Sequence, residues 1–252
     1  MPLNLIMLGP PGAGKGTQAD RFARARGILR ISTGEILRDA VADGSELGRR
    51  AKAIMDRGEL VGDDVMIGIV RDRIERDDAL GGFVLDGFPR TVAQATALDT
   101  IMDGRDPLIV VDIVVPEAEL VRRLSTRMIC ADCGANADAF AAESGPAETV
   151  VLPPAAGAGT PESIAAVLAQ TDPRRCRVCG GPLVQRTDDN ASVVLDRLKV
   201  YRAQSRPLVE YYRDRPTFRS IDGAQLPDQV ALDLAAAVEA VGNGVLHGGN
   251  RR

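Results

Sequence analysis

The chain has 252 residues, 45% of them hydrophobic and 26% charged, the balance of an ordinary globular protein with one sizeable core and a subdomain or two. A net charge of −4 excludes a bulk basic field for DNA or RNA, and no uncharged apolar run reaches the ~18 residues of a membrane span. A single histidine, His247, nearly excludes histidine acid–base chemistry.

The opening MPLNLIMLG lacks a basic stretch and a small-residue cleavage site, so no secretory leader is expected. Residues 3–8 form a short apolar run ended by glycines, which predicts a buried parallel strand. A helical pattern over 17–26, a strand over 28–31, and helices over 32–43 (Ser32 as N-cap), 45–57 and 63–76 follow. Residues 83–85 predict a strand closed by Asp86-Gly87. Another at 108–115 is stopped by Pro116, and the helix over 116–127 has Glu117 and Glu119 in its first turn. Cys130-Ala131-Asp132-Cys133 and Cys176-Arg177-Val178-Cys179 then bracket 42 residues rich in Ala, Gly and Pro, too poor in large apolar groups to build a core. A short helix is possible there over 161–170. A long amphipathic helical region over 188–212 is interrupted near Pro207, and a strand over 217–221 and a helix over 227–241 precede a Gly- and Asn-rich tail, expected to be disordered from Gly242. No internal repeat is present. Strands alternating with helices predict an α/β protein whose parallel sheet is covered on both faces.

Gly9-Pro10-Pro11-Gly12-Ala13-Gly14-Lys15-Gly16-Thr17 joins the first strand to the first helix with the spacing G-x-x-x-x-G-K, that of a phosphate-cradling loop. The glycines let successive N–H groups turn toward phosphate oxygens, the helix N-terminus adds partial positive charge, and Lys15 adds a full one. The hydroxyl residue usual after the lysine is replaced by Gly16, with Thr17 one place later, so direct hydroxyl ligation of magnesium there is in doubt. Of 31 basic residues only Lys15, Lys52 and Lys199 are lysine, a skew that fits either planar phosphate recognition or an arginine-rich proteome.

Four blocks in order, GPPGAGKGTQA, ISTGEILR (31–38), LDGFPRT (85–91) with Gln94, and QRTDDN (185–190), together resemble the adenylate kinases, and the likeness covers most of the chain outside the 42-residue insert and the tail. The resemblance implies a P-loop three-layer fold with a five-stranded parallel sheet, a helical AMP-binding insert and a mobile lid. It implies phosphoryl transfer from MgATP to AMP, giving two ADP. The core would be 1–31, 62–125 and 190–241, the AMP-binding region 32–61, and the lid 126–189, followed by the tail 242–252. ATP would lie on Gly12, Ala13, Gly14, Lys15, Gly16 and Thr17, with Arg123 over the adenine and Gln225 beside it. Thr33, Arg38, the Glu59-Leu60-Val61 backbone, Gly87, Phe88, Pro89, Arg90 and Gln94 would hold AMP, joined by Arg186 and Arg197. Lys15, Arg90, Arg127, Arg186 and Arg197 would act on the transferring group, and Asp86 would reach the nucleotide's magnesium through water. Such chemistry needs no general base, because the acceptor oxygen is already anionic; it needs alignment and charge neutralisation. The amide of Gln94 can pair with adenine's donor and acceptor edge, which would favour AMP over pyrimidine monophosphates.

Two C-x-x-C pairs read as a tetrahedral zinc site of Cys130, Cys133, Cys176 and Cys179, with buried free thiols or a redox pair as the alternative. Relatives usually place about 16 residues between such pairs. Asn136-Ala137 also stands where the family's lid carries an aromatic. With four thiolates the metal would be structural. The chain is expected to be a cytoplasmic monomer acting on ATP, AMP and ADP, with no nucleic-acid or membrane partner. The alternatives are a monophosphate kinase of other donor or acceptor preference, and a nucleotide-binding switch or nucleic-acid module using the zinc knuckles. The second is opposed by the acidic charge and by the 3% aromatic content.

Overall fold

Strands β1 (Leu3–Leu8), β2 (Leu29–Ser32), β3 (Gly82–Asp86) and β4 (Leu108–Val114) are short; β1, β3 and β4 are almost wholly buried, as strands covered on both faces must be, and β2 is buried over its second half. In a computed structural model, which describes residues 2–137 and 175–248, they pair in parallel with a last strand in the order β2-β3-β1-β4-β7, β7 being Phe218–Asp222. A separate two-stranded antiparallel ribbon pairs β5 (Met128–Cys130) with β6 (Leu183–Gln185).

Helices cover both faces of the sheet and give each its own core. On one face lie α1 (Lys15–Arg26), α6 (Glu117–Thr126), α7 (Ala191–Val200) and α9 (Pro227–Gly248), burying Phe22, Leu124, Leu198 and Leu234 against Leu5, Val84 and Val111. On the other lie α2 (Thr33–Ala42), α3 (Glu46–Asp56), α4 (Asp63–Ile74), α5 (Val92–Ile101) and α8 (Pro207–Tyr212). These bury Leu37, Ile74, Leu98 and Tyr212 against Ile6, Leu85 and Val110. Each fully buried Leu, Ile or Phe contributes about 1.5–3 kcal/mol of transfer free energy, so this double core dominates the folding energetics. Because all five strands run the same way, their C-terminal ends share one edge, where Leu8 leads into the glycine loop and Asp86 into Gly87.

The expected strands are all present within a residue or two, and Ser32 does cap α2, its hydroxyl accepting from the Glu35 N–H at 3.4 Å. Four departures have physical causes. Helix α5 was not expected: Ala95 and Leu98 are buried, but its remaining positions mix small and β-branched residues with little polar contrast. Its start is set by the Thr91 hydroxyl, which accepts from the Gln94 N–H. The ribbon strands have three residues each, below the length at which alternation is readable. The break in the 188–212 region lies at Tyr201–Ser205, a π-helical turn ahead of Pro207, which itself opens α8. Finally, α9 runs on to Gly248, over positions where the sequence predicts a disordered tail. The buried spacing Val230, Leu234, Val238, Val241 anchors the helix up to that point, and a Gly in an anchored helix costs only about 1 kcal/mol. Residues 249–252 and the helix expected over 161–170 lie outside the described residues.

Candidate active site

The glycine loop takes its shape from positive φ angles that side chains resist. Gly9 has φ 137°, and a Cβ there would sit 2.8 Å from the carbonyl oxygen of Ile113. At Gly12, with φ 85°, it would sit 2.9 Å from Leu124 Cγ. Gly14, with φ 92°, stands at the N-cap of α1, so Lys15 is the first helical residue. The Lys15 ammonium donates to the carbonyls of Gly9 (2.7 Å) and Pro10 (2.8 Å), closing the loop on itself. Its pKa is lowered to about 8, first by desolvation and then by Arg90, Arg197 and Arg127, with Asp86 opposing. The unexpected Gly16 also has a steric reason. A Cβ there would lie 3.2 Å from Asp86 Oδ2, so a side chain at this position would press on the Asp86 carboxylate and make it give by a few tenths of an ångström. Thr17 is half-buried one place further on, and Ala13 is buried beneath the loop.

Asp86 ends β3, and the turn after it gathers the second substrate block. Gly87 has φ 83°; its carbonyl accepts from the Thr33 hydroxyl at 2.9 Å and from Arg90 Nε at 2.8 Å. The Phe88–Pro89 peptide is cis, and both residues are buried. Arg90 reaches into the open cleft, where desolvation by the surrounding walls, reinforced by Arg186, lowers its pKa despite the opposing Asp86. Gln94 is 2% exposed: its Oε1 accepts from the Arg90 N–H (2.7 Å) and its amide donates to Asp63 (2.8 Å), which also accepts from the Thr91 hydroxyl. The Arg38 guanidinium lies over Gly34, its pKa lowered to about 10 by desolvation and then by Arg186. Of the 59–61 backbone, Glu59 is exposed and paired with Arg57, Leu60 faces the cleft and Val61 is buried. The preceding Gly58, with φ 72°, presses against Arg197, whose Cγ would be 2.7 Å from a Cβ there.

The stems of the β5–β6 ribbon carry three further arginines, and two adjacent aspartates hold them. Arg127 makes a two-pronged pair with Asp189 (2.7 and 2.6 Å), Arg197 joins the same carboxylate at 2.9 Å, and Arg186 pairs doubly with Asp188 (2.9 and 2.7 Å). Burial alone would raise the pKa of Asp188, but Arg197 and Arg186 outweigh it and hold the carboxyl below its ordinary range. One cleft is therefore lined by Gly9, Lys15, Gly58, Leu60, Arg90 and Arg197. Arg123 and Gln225 lie outside that convergence. Arg123 Nε donates to Glu119 at 2.7 Å, and Gln225 donates to Asp233 at 2.7 Å and to the Asp222 carbonyl.

At the ribbon itself the four cysteine sulfurs lie within 4.8 Å of one another, although the pairs are 42 residues apart in sequence. Gly134 and Gly180, with φ 69° and 75°, close two matching turns in which each N–H reaches back to the carbonyl of Cys130 or Cys176. The N–H groups of Cys133 and Asp132 point at Cys130 Sγ, and with its neighbouring thiols they lower its pKa to about 7. Four convergent sulfurs with glycine-closed knuckles fit a tetrahedral soft-metal site.

Reading the sequence missed the partners of these groups. Asp188 and Asp189 stood inside a quoted block without a role, as did Glu35. Arg30 and Asp112 were not singled out at all. Asp112 on β4 is 7% exposed, one of its oxygens has no hydrogen-bond partner among the described residues, and burial raises its pKa against the pull of Lys15.

Comparison with known proteins agrees with this geometry. The family model described as adenylate kinase matches residues 7–217. An adenylate kinase of Archaeoglobus fulgidus is 42% identical over 241 residues, covering 95% of this chain and 99% of its own length. One from Geobacter sp. (strain M21) is 43% identical, covering 94% of this chain and all of its own. One from Staphylococcus epidermidis is 43% identical, covering 92% and 97%.

Proposed function

The chain belongs to the adenylate kinase family, and from that premise we propose how its own residues carry the reaction. The enzyme transfers a phosphoryl group reversibly between ATP and AMP, giving two ADP and balancing the adenine nucleotides. Magnesium, bound with ATP, supplies neutralisation of the phosphate charge. We assign ATP's phosphates to residues 12–17 and the AMP phosphate to Arg38 and Arg90. The observation that carries this reading is the convergence of Arg90, Arg127 and Arg197 on Lys15, whose ammonium feels all three charges beside a cleft that Lys15, Arg90 and Arg197 line. Such a cluster is self-repelling until anions enter it, so phosphates arriving from both substrates gain what the empty site lacks. Arg127, Arg186 and Arg197, parked on Asp188 and Asp189, would turn to the transferring group as the lid closes. The lid is assigned to 126–189, the AMP-binding region to 32–61, and the remaining segments to the core. Arg123 and Gln225 would flank the ATP adenine.

Gln94 is assigned the acceptor base. Asp63 and the Arg90 N–H orient its amide, which keeps a second N–H and a second lone pair for adenine's edge. An ADP-forming assay over AMP, CMP, UMP and GMP is expected to show AMP strongly preferred; a preference for CMP or UMP would sink this assignment. The same reading carries the expectation of a monomer acting in the cytoplasm.

We assign zinc to Cys130, Cys133, Cys176 and Cys179 as a structural ion. Metal quantification is expected to give one zinc per chain, and a strong chelator to lower the melting temperature while the order of acceptors is unchanged. Protein purified without chelator and free of metal would remove the basis for this assignment.

A further inference from the structure

Asp86, the carboxylate assigned to the magnesium side of the nucleotide, is not free in this structure. Arg30, the second residue of β2, faces the same side of the sheet as Val84 and Asp86, because it pairs opposite Val84 in the parallel register. Its side chain runs beneath the first turn of α1, where Gly16 leaves room: a Cβ there would lie 3.6 Å from Arg30 Nη2 and 3.2 Å from Asp86 Oδ2. The same Nη2 donates to Asp86 Oδ2 (3.1 Å) and to Glu35 Oε1 (2.7 Å), while Nη1 donates to Glu35 Oε2 (3.1 Å). Two carboxylates from different elements, β3 and α2, thus meet on one nitrogen. Arg30 and Asp86 side chains are 21% and 13% exposed, and Arg30 Nε is buried with no partner among the described residues, so the guanidinium is drawn in by its carboxylates alone. Burial would lower its pKa, and the attraction of Asp86 and Glu35 reverses that.

We propose that Arg30 is a positioning residue, a built-in counter-cation that holds Asp86 and Glu35 together and keeps the pair from taking a divalent ion until a nucleotide brings one. Two acidic groups this close attract a hard cation of their own when nothing neutralises them. With the guanidinium between them, a divalent ion meets a pair already compensated and needs phosphate oxygens to complete its ligands. Lys15 and Arg90 also act on Asp86 through space, and Arg38 on both Asp86 and Glu35, but among the described residues only Arg30 donates hydrogen bonds to both carboxylates. The inference rests on the assignment of Asp86 above.

The test is direct Mn2+ binding to the full-length, zinc-supplemented chain without nucleotide, followed by electron paramagnetic resonance. Arg30→Met is expected to bind Mn2+ at least about tenfold more tightly than the natural chain. The gain should vanish in Arg30→Met/Glu35→Gln, and Arg30→Lys, which keeps a cation, should stay within about twofold of the natural chain. An Arg30→Met protein with a native melting profile and no gain in Mn2+ affinity overturns the proposal, as does an equal gain in Arg30→Lys. The measurement needs no turnover, so failure to form ADP from ATP and AMP would count against the functional reading and leave this result standing.

Discussion

Lys15→Ala is expected to lower kcat/KM for ATP by about 10²–10³-fold while the melting temperature moves by no more than a few degrees. The two halves of this expectation have one origin. The ammonium sits in a desolvated loop among Arg90, Arg127 and Arg197, and among the described residues it donates to the carbonyls of Gly9 and Pro10. A lysine whose folded pKa is lowered from 10.5 to about 8 is a charge the folded state holds unwillingly. It opposes folding fully below about pH 8, and the penalty is relieved as pH rises from about 8 through 10.5. Alanine removes that penalty along with two hydrogen bonds, so stability changes little. Activity loses a preorganised charge aimed at the phosphates, which no neighbour can supply from the same turn. Steady-state kinetics beside a thermal melt decide it. Turnover within tenfold of the natural enzyme would refute the role given to Lys15.

The parts of this enzyme that were legible in the sequence are those whose chemistry is local. The glycine loop is readable because its glycines and its lysine lie within seven residues of one another, and β1, β3 and β4 because both faces of each are largely apolar. The knuckle cysteines are readable as pairs, since each turn is four residues long. What was not legible depends on residues that meet only after folding. Nothing near Arg127 in sequence announces Asp189, 62 residues on, and nothing near Arg30 announces Asp86, 56 residues on. Gly16 is instructive: in the sequence it is a departure from the phosphate-loop pattern, and only the fold shows that the Asp86 carboxylate comes up against it. Helix α5 was missed for the opposite reason, since its buried face of Gln94, Ala95 and Leu98 mixes polar, small and large residues and gives period-reading little to hold.

The second large effect is expected at a residue that need never touch a nucleotide. Asp189 is wholly buried, and its carboxylate neutralises Arg127 and shares Arg197 with Asp188; the two guanidiniums are themselves only 15% and 16% exposed. Arg127 closes α6 just before β5, Asp189 follows β6, and Arg197 lies on α7, so one carboxylate pins both stems of the ribbon to the core. Removing one partner of such a group leaves buried charge uncompensated, which costs about 3–5 kcal/mol, whereas an exposed pair would cost under about 1. For a protein of this size Asp189→Ala should therefore melt about 6–20 °C lower than the natural chain. Asp189→Asn, which keeps one acceptor in place, should fall between the two. The freed guanidiniums make a further, sharper expectation. Saturating ATP supplies the negative charge that Asp189 no longer does, so it should raise the melting temperature of the alanine variant by more than it raises that of the natural enzyme. A variant melting within 2 °C of the natural chain would show that the pairing contributes no more than a surface ion pair. An equal ATP shift in both proteins would show that Arg127 and Arg197 do not turn from the aspartate to the phosphates.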